Sequence, residues 1–363
     1  MLLLSVDAAE IFKWIGYIIV AMLCFMFMII VHELGHYTAG KLLGFKINEF
    51  AVGFGPAIFK KTKKNGEVFS LRCIPAGGFC AFEGEDEEEG ERPDAFNAKP
   101  VWKRIIVLAA GVTFNFVSAI IILNFFFMGY GEAVPHVGAV YEYTDGGEQQ
   151  FQEGDLILSV DGTKMYCMID PSKLASSFAD DGAHEVVVLR DGEEVTLTVE
   201  KHTYDQVVID ELGGEIVTPA TGLGITFTLS PYKLSYGEAL GRSFTFSGEV
   251  VKLTFKAIGQ LFTGDAKVSE TMGGTVTAVS SLVQLTSSGA PAIAYGVAVL
   301  SLSIALMNIL PLPALDGMRI VFAVIEGIRR KPLNRKVEGV IHTVGLFLLL
   351  GLAITFDLLH FFG

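Results

Sequence analysis

The chain has 363 residues, of which 51% are hydrophobic and only 18% charged, and its mean hydropathy is +0.49. That composition excludes an ordinary soluble domain and implies several membrane spans joined to a water-exposed part. The formal charge of −13 excludes nucleic acid as the expected partner.

The first predicted element is an apolar helix over 11–31 that continues through His32-Glu33-Leu34-Gly35-His36. Positions i and i+4 share a helix face, so both imidazoles can bind one Zn²⁺ while Glu33, one residue on, reaches a water on the metal. Ionisable groups near hydrocarbon cost about 2.5–3.5 kcal/mol each and are functional by default. The pattern therefore reads as an intramembrane metalloprotease. The long apolar run, the lack of a basic N-terminal region and the motif inside it argue against a cleavable signal.

The loop that follows carries Lys41, Lys46, Lys60, Lys61, Lys63, Lys64, Lys103 and Arg104, which places it in the cytoplasm and the N-terminus outside. Asn65-Gly66 predicts a two-residue hairpin turn. The hairpin is either a surface feature or an exposed strand edge to which an extended peptide adds. The acidic run 83–94 reads as a solvated loop.

A second span is expected over 105–130, and the segment from 132 to 289 then lies outside. Apolar strands separated by Asp161-Gly162 and Asp191-Gly192 turns predict a compact β-rich domain there. A strand-like stretch at 222–229 precedes an amphipathic helix over 236–262, which lies on the membrane surface or packs on the outer domain.

The third apolar region, 291–328, is broken by Pro311 and Pro313 and contains Asn308-Ile-Leu-Pro-Leu-Pro-Ala-Leu-Asp316-Gly317. A catalytic zinc site takes three protein ligands and an open position, and Asp316 is the candidate for the third. Taken alone, it could instead cap the helix that follows. Arg329, Arg330, Lys331, Arg335 and Lys336 put the next connection in the cytoplasm, and 340–360 is the fourth span. Cys24, Cys73, Cys80 and Cys167 give no extracytoplasmic pair and no metal spacing. His136, His184, His202, His342 and His360 are assigned structural or interfacial roles.

These motifs resemble the site-2 protease family of bacterial intramembrane zinc metalloproteases. The resemblance extends to Gly53-Phe54-Gly55-Pro56, to Ile74-Pro75-Ala76-Gly77-Gly78-Phe79, and to 96–104 leading into Ala110-Gly111-Val112-Thr113-Phe114-Asn115. The chain departs from the family at Gly111-Val112, where Gly-Pro is usual, and at Met272-Gly273-Gly274-Thr275-Val276.

The resemblance implies an α-helical polytopic membrane protein of about four transmembrane helices. It adds a cytoplasmic-side β-hairpin and an inserted extracytoplasmic β-rich PDZ-like domain. The division implied is 1–131, 132–203 for the PDZ-like domain, 204–290, and 291–363. His32, His36 and Asp316 would hold Zn²⁺ with Glu33 as general base, while Asn308, Gly77, Gly78 and Phe79 would bind the substrate. The implied substrates are single-span proteins of a bacterial plasma membrane, already trimmed by another protease, such as anti-sigma factors or signal-peptide remnants. A peptide ligand of the PDZ-like domain is also implied. Two other readings stay open: a non-catalytic membrane scaffold displaying that domain, and a membrane metalloprotease of another lineage.

Overall fold

The computed structural model describes residues 8–85, 93–209, 215–263 and 275–362; most of the acidic run and residues 272–274 lie outside them. The chain divides into two units, one formed by 1–124 with 243–363 and the other by 125–242.

In the first unit, α1 (Ala8–Leu42), α2 (Val101–Gly129), α6 (Ala290–Ile309) and α8 (Arg335–Phe362) contain the helices long and apolar enough to cross a membrane. The apolar span within α1, Glu10–Leu42, has 33 residues, about 50 Å at 1.5 Å each, against about 30 Å of bilayer hydrocarbon. The His32–His36 turn therefore falls near the far end of the span. Phe12, Trp14, Ile19 and Leu23 on α1, and Phe347, Leu348 and Ile354 on α8, are exposed, as lipid-facing residues must be.

Two shorter helices complete this unit: α5 (Thr275–Ser287) and α7 (Asp316–Arg329). Helix α5, which lacks a strong sequence signal, packs on α1 through Leu282, Val283 and Ala21. Asp357 of α8 accepts from the Val276 and Thr277 amides at 3.1 and 2.9 Å. An acid in the last span is thus the cap of a neighbouring helix.

The expected hairpin is β1 (Ile47–Thr62) and β2 (Val68–Phe82), paired antiparallel. Gly53 and Gly55, both with positive φ, bend β1 so that its two halves pair differently. Residues 49–52 lie between 78–81 on one edge and 68–71 on the other, and residues 57–62 pair with 68–72. The 78–82 segment therefore borders this small curled sheet.

In the second unit a sheet of order β10-β3-β4-β6-β7 has β5 paired to β4. Its strands are β3 (Glu132–Val140), β4 (Leu156–Val160), β5 (Thr163–Lys164), β6 (His184–Arg190), β7 (Glu193–Val199) and β10 (Ile225–Tyr232). Val137, Ile157, Met165, Leu174, Val186 and Val188 are fully or almost fully buried in its core. Asp161-Gly162 and Asp191-Gly192 all take positive φ, as type I′ turns require. The sheet runs beyond the 132–203 segment, because β10 pairs along β3 from Ile225↔Val140 to Tyr232↔Glu132. The pairing was hidden because it joins strands some 90 residues apart, while local pattern reports only neighbours. A short helix α3 (Lys173–Ser177), a separate ladder of β8 (His202–Ile209) with β9 (Glu215–Gly222), and α4 (Tyr236–Thr263), which runs across the boundary between the units, account for the remaining elements.

One pH dependence follows. His184 is buried, 2.7 Å from Asp161 and 2.8 Å from Asp180, and the hydrogen bond to Asp161 raises its pKa above the usual value. A raised histidine pKa stabilises the fold fully below the unfolded value near 6.5, and that contribution disappears as pH rises through the folded value. The thermal stability advantage of the wild type over His184→Gln should therefore shrink as pH rises above the unfolded value near 6.5. A pH-independent difference would show that the ring acts by packing alone.

Candidate metal centre

Helix α1 presents His32 and His36 one turn apart, and α7 begins with Asp316, 284 residues after His32. His32 Nε2 lies 3.0 Å from Asp316 Oδ2, His36 Nε2 lies 3.2 Å from the same oxygen, and the two nitrogens are 3.2 Å apart. Among the described residues these three form the one group of histidine, cysteine and carboxylate side chains able to hold a metal ion.

The donor set fits zinc. Ligands 2.0–2.2 Å from a tetrahedral zinc lie roughly 3.3 Å from one another, close to the spacing seen. His36 Nδ1–H donates to the Val107 carbonyl at 2.8 Å, which fixes the tautomer and leaves the Nε2 lone pair facing Asp316. Two imidazole nitrogens and a carboxylate oxygen, largely out of water, are three electron-pair donors directed at one point. A cation satisfies all three.

Glycines let the helices come this close. A methyl added at Gly35 would lie 2.3 Å from the Ala110 carbonyl oxygen of α2, and one at Gly111 would lie 2.5 Å from His36 Nε2 and 2.8 Å from His32 Cε1. The first α1–α2 approach is set by backbone, and the second leaves room for the imidazoles. Ser301 of α6 joins the same bundle by donating to the Asn115 carbonyl at 3.0 Å, a small-residue contact of the kind that membrane helices use.

The loop between α6 and α7 brings Asp316 into place. Pro311 and Pro313 end the helical hydrogen bonding, and Ala314 adopts φ 75°, costing about 1–2 kcal/mol for a residue with a Cβ. The Ala314 amide donates to His342 Nδ1 at 2.9 Å, so that histidine of α8 supports the loop as a structural residue.

A cavity of about 470 Å³ opens beside the three donors, with Glu33, Gly78, Phe79, Asn308 and Arg319 in its wall. Glu33 accepts a hydrogen bond from the Cys80 amide, and its Cγ lies 3.4 Å from where a Gly78 methyl would be. Asn308 donates to the Ile304 carbonyl at 3.0 Å. Gly77 is absent from the wall; its missing side chain instead leaves space for the Phe54 ring. Arg319 forms an ion pair with Glu85, and both residues also line the cavity. Sequence reasoning missed this pair, and likewise the Val107 carbonyl, because neither carries a motif.

Comparison with known proteins finds relatives over most of the chain. The model of peptidase family M50 matches residues 20–352. A Clostridium perfringens protein is 34% identical over 339 residues, covering 93% of this chain and 96% of its own. A Fusobacterium nucleatum protein is 33% identical over 336 residues, with 92% and 94% covered. An Agrobacterium fabrum protein is 30% identical over 357 residues, with 93% and 94% covered. All three are provisionally named zinc metalloproteases. With a family match across most of its length and helices fit to span a bilayer, the chain belongs to peptidase family M50, the site-2 protease family of membrane zinc metalloproteases.

Proposed function

We propose that this protease cuts peptide bonds within the transmembrane segments of single-span membrane proteins already trimmed by another enzyme. The supporting observation is a cavity that holds His32, His36, Asp316 and Glu33 together with a strand at the border of a sheet. In this reading His32, His36 and Asp316 hold the metal. Bound Zn²⁺ supplies Lewis acidity, acidifying water and polarising a carbonyl. Glu33 takes the proton from the attacking water and delivers it to the leaving amine. The Cys80 amide orients Glu33 for both transfers.

Substrate enters as extended chain, because a helix hides its carbonyls in its own hydrogen bonds. Residues 78–82 pair with β1 on one side only, and their other side is the edge to which an unwound segment adds. Asn308 holds the substrate backbone from the opposite helix. Lys and Arg on the connections after α1 and α7 put those connections in the cytoplasm and the second unit outside. The enzyme then belongs to the plasma membrane of a bacterium and serves regulated intramembrane proteolysis, with anti-sigma factors or signal-peptide remnants as its substrate class. Purification in detergent, metal analysis and cleavage of a panel of single-span proteins test this reading; bound zinc with no cleavage of any of them would favour the scaffold.

We assign the second unit as a PDZ-like domain that admits trimmed substrates and refuses bulky ones. Since β10 completes its sheet, a clean deletion removes 133–232 together. The deleted enzyme should keep zinc and cut long and trimmed versions of one substrate alike, whereas the full chain prefers the trimmed form. An unchanged preference after deletion, with zinc retained, would leave this domain a peptide-binding or scaffolding role.

A further inference from the structure

Outside the metal site, the unit formed by 1–124 and 243–363 holds a second cluster of buried charge. Arg104, in the first turn of α2, and Arg335, the first residue of α8, both grip Glu326 of α7 at 2.6 Å. The three side chains are 7%, 9% and 4% exposed. The Nε atoms of both arginines are buried with no hydrogen-bond acceptor. Glu338, 2.5 Å from Arg335, is a second carboxylate in the cluster, yet both Nε donors still lack an acceptor, which in a low-dielectric setting is costly.

The two arginines also line a cavity of about 580 Å³ together with Arg330 and Lys331. Its wall thus carries four cations against the single carboxylate of Glu326. The N-termini of α2 and α8, at Val101 and Arg335, add their positive dipole ends. The volume lies within the roughly 300–1,000 Å³ usual for small-ligand sites.

Position identifies the anion. The candidate spans Val101–Gly129 and Arg335–Leu359 both begin at this cavity, so it sits where hydrocarbon gives way to water. Trp102, 56% exposed with the Lys103 ammonium 5.5 Å from its ring, has the character of an interfacial anchor. At that depth the abundant anions are lipid phosphates, and basic pockets between span ends suit them.

We propose that this cavity binds the phosphate headgroup of an anionic phospholipid. The headgroup accepts from Arg330 and Lys331 and from the parts of Arg104 and Arg335 that line the cavity, tying α7, the helix that opens with Asp316, to α2 and α8. The assignment needs only that α2 and α8 cross the membrane, not that the enzyme cuts any particular substrate.

The test places the full-length protein in phosphatidylcholine nanodiscs with and without phosphatidylglycerol, and measures thermal unfolding and retained lipid. Phosphatidylglycerol should raise the unfolding temperature of the wild type and co-purify with it. Each cation removed should weaken retention about fivefold, so Arg330→Gly with Lys331→Gln should lose roughly 25-fold. Arg330 has φ 54°, a conformation glycine prefers, so this variant keeps the turn, and its zinc content reports an intact fold. Equal retention by wild type and variant would overturn the proposal. Equal stabilisation by inorganic phosphate in phosphatidylcholine discs would assign the site to a free anion. A lipid effect that vanished on neutralising Asp86, Glu87, Glu88, Glu89 and Glu91, but not Arg330 and Lys331, would also overturn it.

Discussion

Glu33→Gln is expected to retain zinc and lose cleavage. The amide replaces the carboxylate with almost no change of volume, and His32, His36 and Asp316 keep their mutual distances of 3.0–3.2 Å. What disappears is a group able to accept and return a proton. General acid–base catalysis contributes typically 10²–10⁴-fold, about 3–5 kcal/mol of barrier at 1.36 kcal/mol per decade. Single-turnover cleavage beside metal analysis of the same preparation separates the two properties. Turnover near the wild-type rate would remove Glu33 from the mechanism, and lost zinc would make it a supporting residue of the metal site.

Gly111→Ala is expected to lose zinc although it removes no ligand. The new methyl would sit 2.5 Å from His36 Nε2, 2.7 Å from His36 Cε1 and 2.8 Å from His32 Cε1, all well inside van der Waals contact. Both imidazoles must turn away, and His36 must strain or break its hydrogen bond to Val107. Disturbing the groups that orient a ligand costs about 10–100-fold in metal affinity, and two ligands are disturbed at once. Asp316→Ala gives the comparison: it removes a donor without crowding, and should also lower zinc occupancy at least tenfold. Competition with a chelator reads both variants on one scale. A Gly111→Ala enzyme with wild-type affinity would mean that the helices shift apart at no cost to the site.

The His32–His36 pair and the Asp-Gly turns could be read from sequence because their signals are local: an i, i+4 spacing and a dipeptide that prefers positive φ. Asp316 was identified by its motif; that it meets the histidines depends on an α6–α7 loop whose path is set by Ala314 and His342. Local pattern carries no trace of the Val107 carbonyl, since every residue has one. Nor does it reveal that residues 49–52 pair on both edges, that β10 joins β3, or that Asp357 caps α5. Each of these joins segments distant in sequence, and it is the packed fold that selects them.

The separation of the metal-binding groups along the chain has a consequence for biosynthesis. His32 emerges 284 residues before Asp316, and at about 5–20 residues per second the ribosome needs roughly 15–60 s to bridge that interval. Throughout it the histidine pair has no carboxylate partner, and the proposed three-ligand site is incomplete. In the proposed mechanism, a nascent chain inserted beside its potential substrates therefore lacks one ligand of its metal site until Asp316 has been made.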